Sequence, residues 1–110
     1  MINKVIIVGH LGQDPEVRAL PSGSNVCSFS VATTERFKDA QGEKQERTEW
    51  HRIKAFGSNA DNCGKYLNKG SKVFIEGRIQ SGKYTDKDGV EKTTYEIIAS
   101  AVTFLDSKDK

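Results

Sequence analysis

Residues 48–56 have the sequence TEWHRIKAF, whose alternation is typical of a β-strand with two unlike faces. Side chains two positions apart on a strand share a face. One face then carries Ile53 and Ala55, which are small and aliphatic enough for the interior of a barrel. The opposite face carries a set that we call the aromatic–basic row: Trp50, Arg52, Lys54 and Phe56. The stretch therefore predicts a barrel wall whose outer surface offers rings and cations over about 20 Å, at roughly 3.3 Å per residue.

The sequence on both sides of this stretch predicts further strands. Cys27, Phe29 and Val31 alternate with serines, which indicates a strand with one buried face. Residues 16–20 predict a short extended segment, and we expect the first strand to end at Gly9. The five main strands are predicted at residues 2–8, 25–35, 48–56, 72–80 and 93–105.

Two polar segments and one short helix connect these strands. Residues 38–47 predict a long hairpin tip, and a second hairpin turns at residues 86–89. Residues 58–66 show helical rather than alternating spacing, with Ser58 expected to cap the helix and Gly70 to end it. The fold class is therefore all-β: a five-stranded Greek-key OB-fold barrel, with one short helix between strands 3 and 4 and two long β-hairpin arms.

Composition agrees with an all-β domain. Val and Ile together number 16 against 4 Leu, and branching at Cβ favours a pleated surface over a helix. A length of 110 residues suits one domain. We place that domain at residues 1–105, followed by a short polar tail at residues 106–110.

Charge and cysteine content restrict the class of protein. The net charge of +2 is too small to indicate a nucleic-acid-binding protein, so such a function depends on where the charges lie. Two cysteines, Cys27 and Cys63, are too few for a disulfide scaffold and favour a reducing, cytoplasmic setting. No apolar run approaches the roughly 18 residues of a membrane span, and the first residues lack the pattern of a signal peptide.

The aromatic–basic row offers both contacts that an oligonucleotide with unstacked bases needs. Bases stack on aromatic rings, and phosphates attract cations. Aromatic residues on strands usually pack against neighbours, but two cations between two rings favour binding. Phe37 beside Lys38 and Tyr84 beside Lys83 repeat this pairing in the two polar hairpins, where an exposed ring has little structural benefit. We therefore expect two arms that wrap around a strand.

Other candidate sites are weak. Residues 9–12 lack the Lys-Ser/Thr ending of a phosphate-binding loop. Cys27, Cys63, His10 and His51 are too far apart for a zinc site, and Cys63 fits an inert apolar position in the helix. We expect a binding protein rather than an enzyme, with no catalytic residue, metal or cofactor.

Several segments match one known family in order and spacing. They are NKVIIVG at residues 3–9, LGQDPEVR at 11–18, TEWHR at 48–52, YL at 66–67 with KG at 69–70, and IEG at 75–77. From about residue 3 to residue 104 the chain resembles bacterial single-stranded DNA-binding protein. The resemblance implies an OB-fold that assembles as a homotetramer and coats single-stranded DNA in replication, recombination and repair, in the cytoplasm and associated with the nucleoid.

The resemblance also implies roles for particular residues. The base-stacking positions are Trp50, Phe56, Phe37 and Tyr84. The positions that contact phosphates or line their path are Lys4, Arg18, Arg52, Lys69 and Lys83, to which the aromatic–basic row adds Lys54. The family often has tryptophan at positions 37 and 84, so the smaller rings of this chain are expected to stack less strongly.

Assembly and partner binding leave alternatives open. Within the first-strand segment at residues 3–8, residues 5–8 are apolar in succession, which predicts burial on both faces and contact with a neighbouring subunit. His51 fits either such an interface or a hydrogen bond in the core. Family members usually continue into an acidic tip that recruits enzymes, whereas residues 106–110 carry two acids and two lysines. The chain is therefore either a trimmed domain or a short member without this recruitment.

Two other functions are alternatives to the binding of single-stranded DNA. The first is an RNA-binding or general oligonucleotide-binding OB-fold module. The second is a small metal-assisted nuclease. Competition between DNA and RNA oligomers distinguishes the first, and incubation of DNA with a divalent metal distinguishes the second.

Overall fold

The computed structural model describes residues 1–106. It contains six strands and one helix: β1 (Val5–Leu11), β2 (Glu16–Ala19), β3 (Asn25–Lys38), β4 (Lys44–Phe56), α1 (Ser58–Tyr66), β5 (Lys72–Thr85) and β6 (Glu91–Phe104). The predicted tail at residues 106–110 lies outside the described residues except for Asp106, whose carboxylate accepts a hydrogen bond from the backbone N–H of Lys72.

The five long strands close into a barrel. Their order is β1-β5-β6-β4-β3, and a further pairing of β1 with β3 completes the circle. All pairings are antiparallel except the short parallel contact of β4 with β6, where Ile53 lies opposite Ile97. β2 adds to the free edge of β3 at the predicted short segment. The predicted OB-fold barrel, with its helix between the third and fourth long strands, is confirmed.

The core fills the barrel with β-branched side chains. Val31, Ile53, Val73 and Ile75 are its largest fully buried aliphatic residues. The helix α1 adds Ala60 and Cys63 to the same cluster. Because the barrel is narrow, residues on one face of each strand meet in this single core, and the opposite faces remain at the surface.

Both cysteines lie in this core without any exposed surface. Burial, with a smaller contribution from the neighbouring Cys27, raises the pKa of the Cys63 thiol to about 12. Burial also raises the pKa of Cys27. A thiol must ionise to act as a nucleophile, so the prediction that Cys63 is an inert core residue is supported.

The two polar segments differ from the sequence prediction. Residues 38–47 are not a long loop, because β3 runs to Lys38 and β4 starts at Lys44. In the same way, β5 extends to Thr85 rather than ending at Gln80. These extensions are two-stranded arms with both faces in water, so they lack the apolar alternation by which strands are recognised.

Both arms end in the same turn. The side chain of Asp39 accepts hydrogen bonds from the backbone N–H groups of Gln41 and Glu43. Asp86 does the same for the N–H groups two and four positions after it. The fourth residue of each turn is a glycine at positive φ, 79° at Gly42 and 78° at Gly89, as the turn requires.

Boundaries of β1 and α1 also differ from the prediction. β1 continues through Gly9 to Leu11. At Gly9 the adjacent strand lies so close that a Cβ atom would overlap the backbone carbonyl of Ala32. That glycine permits close strand contact and does not end the strand. Ser58 is the first residue of α1 and not its cap, since Gly57 occupies the cap position; the helix ends at Tyr66, before Gly70.

Candidate nucleic-acid interface

The aromatic–basic row lies on the outer surface of the barrel. Ile53 and Ala55 are buried, as predicted for the inner face of β4. Trp50 is 57% exposed, and Phe56 is exposed as well. The alternation of residues 48–56 therefore predicted correctly which side chains face the core and which face the solvent.

The neighbouring strand leaves this row uncovered. In the antiparallel register, β3 places Ala32 opposite Trp50, Ser30 opposite Arg52 and Ser28 opposite Lys54. Directly opposed residues share a face of the sheet. Because the β3 side chains are small, the indole and the cations of β4 stand above the surface on that side.

Trp50 is exposed but held in position by the loop between β1 and β2. A Cβ atom at Gly12 would overlap the six-membered ring of the indole, so the ring lies directly against the Gly12 backbone. The N–H of Gly12 donates to the carbonyl of Ser30, which fixes the loop beside the row. Sequence reasoning treated Gly12 only as part of a bend, and no local pattern indicates that this glycine supports the ring.

Two open clefts meet at Trp50 and Arg52. The larger has a volume of about 600 Å³ and lies between the β1–β2 loop, β3 and β4. The smaller, of about 320 Å³, extends toward β5 and β6. Glu96 lines both clefts. The two clefts therefore share Trp50, Arg52 and Glu96 at the surface of the barrel.

Tyr95 is a candidate binding residue that sequence reasoning missed. It lines the smaller cleft together with Trp50 and Ile79, and it is 67% exposed. In the register of the β5–β6 pair it lies opposite Ser81, so no large side chain covers it. A period of two places Tyr95 on the same face as the buried Ile97, so alternation predicts burial and gives no signal that Tyr95 is exposed.

The six predicted phosphate-binding cations fall into two groups. Four of them form ion pairs with carboxylates: Lys4 with Glu76, Arg18 with Glu16, Lys54 with Glu96, and Lys83 with Glu91. Among residues 1–106, Arg52 and Lys69 have no such ion pair. Arg52 lies in the cleft beside Trp50, so it is the cation most directly available to a ligand there.

The structure does not bring the arm aromatics together with Trp50. Phe37 pairs with Gln45 in register and belongs to the odd-numbered face of β3, opposite to the face that adjoins Trp50. Its ring lies under the guanidinium of Arg47, 5.0 Å from the ring centroid, beside a separate cavity of about 680 Å³. Tyr84 is exposed on the other arm, opposite Lys92. Among residues 1–106, Trp50 and Arg52 line both clefts, His51 lines the smaller one, and the other predicted stacking and phosphate-binding residues line neither.

His51 makes a hydrogen bond, as one of its two predicted alternatives requires, but at a half-buried position and not in the core. Its Nε2 atom lies 2.9 Å from Oγ1 of Thr33 on β3. The side chain is half-buried on the face opposite Trp50. This bond connects β3 and β4 where the barrel passes into the arm.

Two features that residues 1–106 lack concern other functions. No helix in this part of the chain is long and apolar enough to cross a membrane. Within the same residues, no three His, Cys, Asp or Glu side chains are grouped so that they could hold a metal ion.

Comparison with known proteins shows the family of the chain. The model of the single-strand binding protein family matches residues 2–105. A single-stranded DNA-binding protein of Neisseria meningitidis serogroup A is 50% identical over 109 residues, which are 99% of this chain and 63% of that protein. Single-stranded DNA-binding protein 1 of Chlorobaculum tepidum is also 50% identical over 109 residues, 98% of this chain and 67% of the relative.

A solved structure agrees with these matches. A Plasmodium falciparum SSB chain, from a complex with single-stranded DNA, superposes with a TM-score of 0.88 at 35% identity, covering 96% of each chain. This chain spans 63% of the length of its Neisseria relative. The barrel, the outer aromatic–basic row and these matches lead to one conclusion: the chain belongs to the single-strand binding protein family.

Proposed function

We propose that this chain binds single-stranded DNA without sequence preference, through the cleft at Trp50 and Arg52. The supporting observation is an exposed indole that Gly12 holds in place beside the guanidinium of Arg52, which has no ion pair within residues 1–106. Every base has a π face, so stacking on Trp50 accepts any sequence. Family membership and the likeness to an SSB structure solved with single-stranded DNA support the same ligand.

The course of the strand follows from the cleft. A base stacks on Trp50, and its phosphate lies at Arg52, the next residue on the same face. Phe56 continues the aromatic–basic row in one direction, and Tyr95 offers a second ring in the other. Phosphate contacts carry no sequence information. The other predicted cations would therefore strengthen binding to the same degree for every base sequence; they are Lys4, Arg18, Lys54, Lys69 and Lys83.

The two arms act as flexible additions to this rigid cleft. Phe37 and Tyr84 lie on two-stranded ribbons that extend from the barrel. A two-stranded ribbon is marginally stable by itself, so the arms can adjust to a bound strand. In this proposal the arms close over DNA that the barrel has already bound.

The proposal includes a homotetramer, so that one strand can wrap several barrels. β1 supports it: Ile6 is 59% and Val8 45% exposed on the outer face of the single chain. Phe74 lies directly opposite Val8 on β5 and extends this apolar surface. Within the part of the chain that the structure describes, the edge of β1 away from β5 pairs with β3 only at His10 and Leu11. An apolar face next to an open edge suits pairing with a second copy.

We further propose that the chain acts by binding alone, in the replication, recombination and repair of DNA. The two buried thiols with raised pKa values are unsuited to nucleophilic attack. Protection of unpaired strands needs no covalent step and no cofactor. RNA remains the alternative ligand, since stacking and phosphate contacts do not by themselves distinguish the two nucleic acids.

The test uses the only tryptophan of the chain, Trp50, as its own probe. Titration with a single-stranded oligonucleotide should quench its fluorescence, because a base stacks on the ring. Affinity should fall as salt rises, since bound cations release counterions from the DNA. A duplex of equal length should bind much more weakly, and an RNA oligomer of the same sequence gives the comparison for the alternative ligand. Unchanged emission at saturating DNA, or equal affinity for duplex, would contradict the proposal.

A further inference from the structure

Glu96 is an acidic residue inside a cleft that is proposed to bind an anion. Its Oε2 atom lies 3.1 Å from Nζ of Lys54, a member of the aromatic–basic row. The same side chain lines both clefts that meet at Trp50 and Arg52. A carboxylate at this place faces the path along which phosphates would pass.

The Lys54–Glu96 pair is more sheltered than two other pairs that hold candidate cations. The side chains of Lys54 and Glu96 are 37% and 24% exposed. In the pairs Arg18–Glu16 and Lys83–Glu91 each side chain is at least 66% exposed. Charge interactions are screened most at exposed positions, so Glu96 has the stronger influence on its lysine and on a nearby phosphate.

We propose that Glu96 is a specificity-determining residue, which lowers the affinity of the cleft for DNA that offers phosphates but no unstacked bases. The inference rests on the proposed binding of single-stranded DNA. Glu96 neutralises Lys54 in the free protein and repels phosphates that enter the cleft. A ligand therefore gains little from charge alone and must also stack on Trp50.

Single strands and duplexes respond differently to this carboxylate. A single strand rotates freely about its backbone bonds, so it can stack a base on Trp50 while its phosphates turn away from Glu96 toward Arg52. A duplex encloses its bases and is stiff over roughly 150 base pairs. Its phosphates are fixed in space and cannot avoid Glu96. The carboxylate thus weakens duplex binding more than single-strand binding.

The test compares Glu96→Gln with Glu46→Gln. Glutamine keeps the shape of the Glu96 side chain and removes its charge. Glu46→Gln makes the same change in net charge, but Glu46 pairs with Arg36 on the β3–β4 arm, away from the cleft. Dissociation constants are measured for a thymidine oligomer and for a duplex of the same length, at the same low salt concentration.

We expect Glu96→Gln to raise duplex affinity about fivefold relative to single-strand affinity, which corresponds to about 1 kcal/mol for one charge contact at 4 Å in water. Glu46→Gln should change both affinities by similar factors. The inference is overturned if Glu96→Gln leaves the ratio unchanged, if it acts no differently from Glu46→Gln, or if it abolishes single-strand binding. Failure of the unaltered chain to bind the thymidine oligomer would instead refute the proposed function.

Discussion

The ribbon of β3 and β4 has two halves made from the same pair of strands. One half runs from the cross-strand pair of Val26 with Phe56 to the pair of Ala32 with Trp50. In this half, one face lies in the barrel core and the other carries the aromatic–basic row. The other half runs from the pair of Glu35 with Arg47 to the pair of Lys38 with Lys44. In this half, both faces lie at the surface and no core supports the ribbon. Both halves carry an aromatic candidate for stacking.

The difference between the halves lies in what holds the ring. Trp50 rests on the Gly12 backbone, and the buried side chains of its strand fix the orientation of the outer face. Phe37 has the guanidinium of Arg47 over its ring, in a part of the ribbon that lies at the surface. Binding to a fixed ring costs less conformational entropy than binding to a mobile one. The barrel half should therefore dominate both stability and affinity.

The largest expected effect concerns stability. Ile53→Ala removes a fully buried side chain from the centre of the core and should lower the free energy of unfolding by about 2–5 kcal/mol. Val90→Ala, at the exposed turn of the β5–β6 arm, is the control and should cost less than about 0.5 kcal/mol. Denaturant unfolding at one fixed protein concentration measures both, because assembly makes stability concentration-dependent. If both variants lost the same free energy of unfolding, the arm would unfold together with the barrel as one cooperative unit.

The next effect concerns affinity. Trp50→Ala should weaken binding of a single-stranded oligonucleotide by about 1–3 kcal/mol, the range known for base–aromatic stacking. Tyr66→Ala is a matched control, since Tyr66 is an exposed aromatic that packs near Phe104, outside both clefts. A labelled oligonucleotide gives the dissociation constants by anisotropy. If both variants bind as tightly as the unaltered chain, Trp50 does not stack on DNA.

The barrel half could be predicted from sequence because burial leaves a periodic pattern. Ile53 and Ala55 alternate with the row, and that alternation fixes both the strand and its inner face. The arms left no such pattern, since a ribbon with water on both sides has no apolar face. They were expected as two hairpin arms with long polar tips, and their strands extend further than predicted, up to the Asp39 and Asp86 turns.

Contacts across the fold were not predictable from local patterns. Gly12 supports Trp50 from a loop far away in sequence, and Glu96 reaches Lys54 through the parallel contact of β4 with β6. Both contacts form only when the barrel closes, and no short stretch of sequence shows which distant residues that closure brings together. The ion pairs Lys4–Glu76 and Lys54–Glu96 were missed for the same reason, whereas Arg18–Glu16 and Lys83–Glu91 are local pairs in β2 and in the β5–β6 arm.

The smallest effects are expected at the arms, and they should depend on the length of the DNA. Phe37→Ala and Tyr84→Ala should each weaken binding of a long oligonucleotide by less than about 1 kcal/mol, below the range for a firmly stacked ring. Each ring lies on an extended ribbon, so part of its stacking energy is lost in ordering that ribbon. A short oligonucleotide that reaches only the cleft at Trp50 should bind the two variants and the unaltered chain equally well. Replacement by tryptophan, as Phe37→Trp or Tyr84→Trp, should strengthen binding of the long oligonucleotide only, because the larger ring stacks over more area. Anisotropy titrations with the two lengths measure all four variants, and a loss with the short oligonucleotide as large as that of Trp50→Ala would place the arm rings inside the primary site.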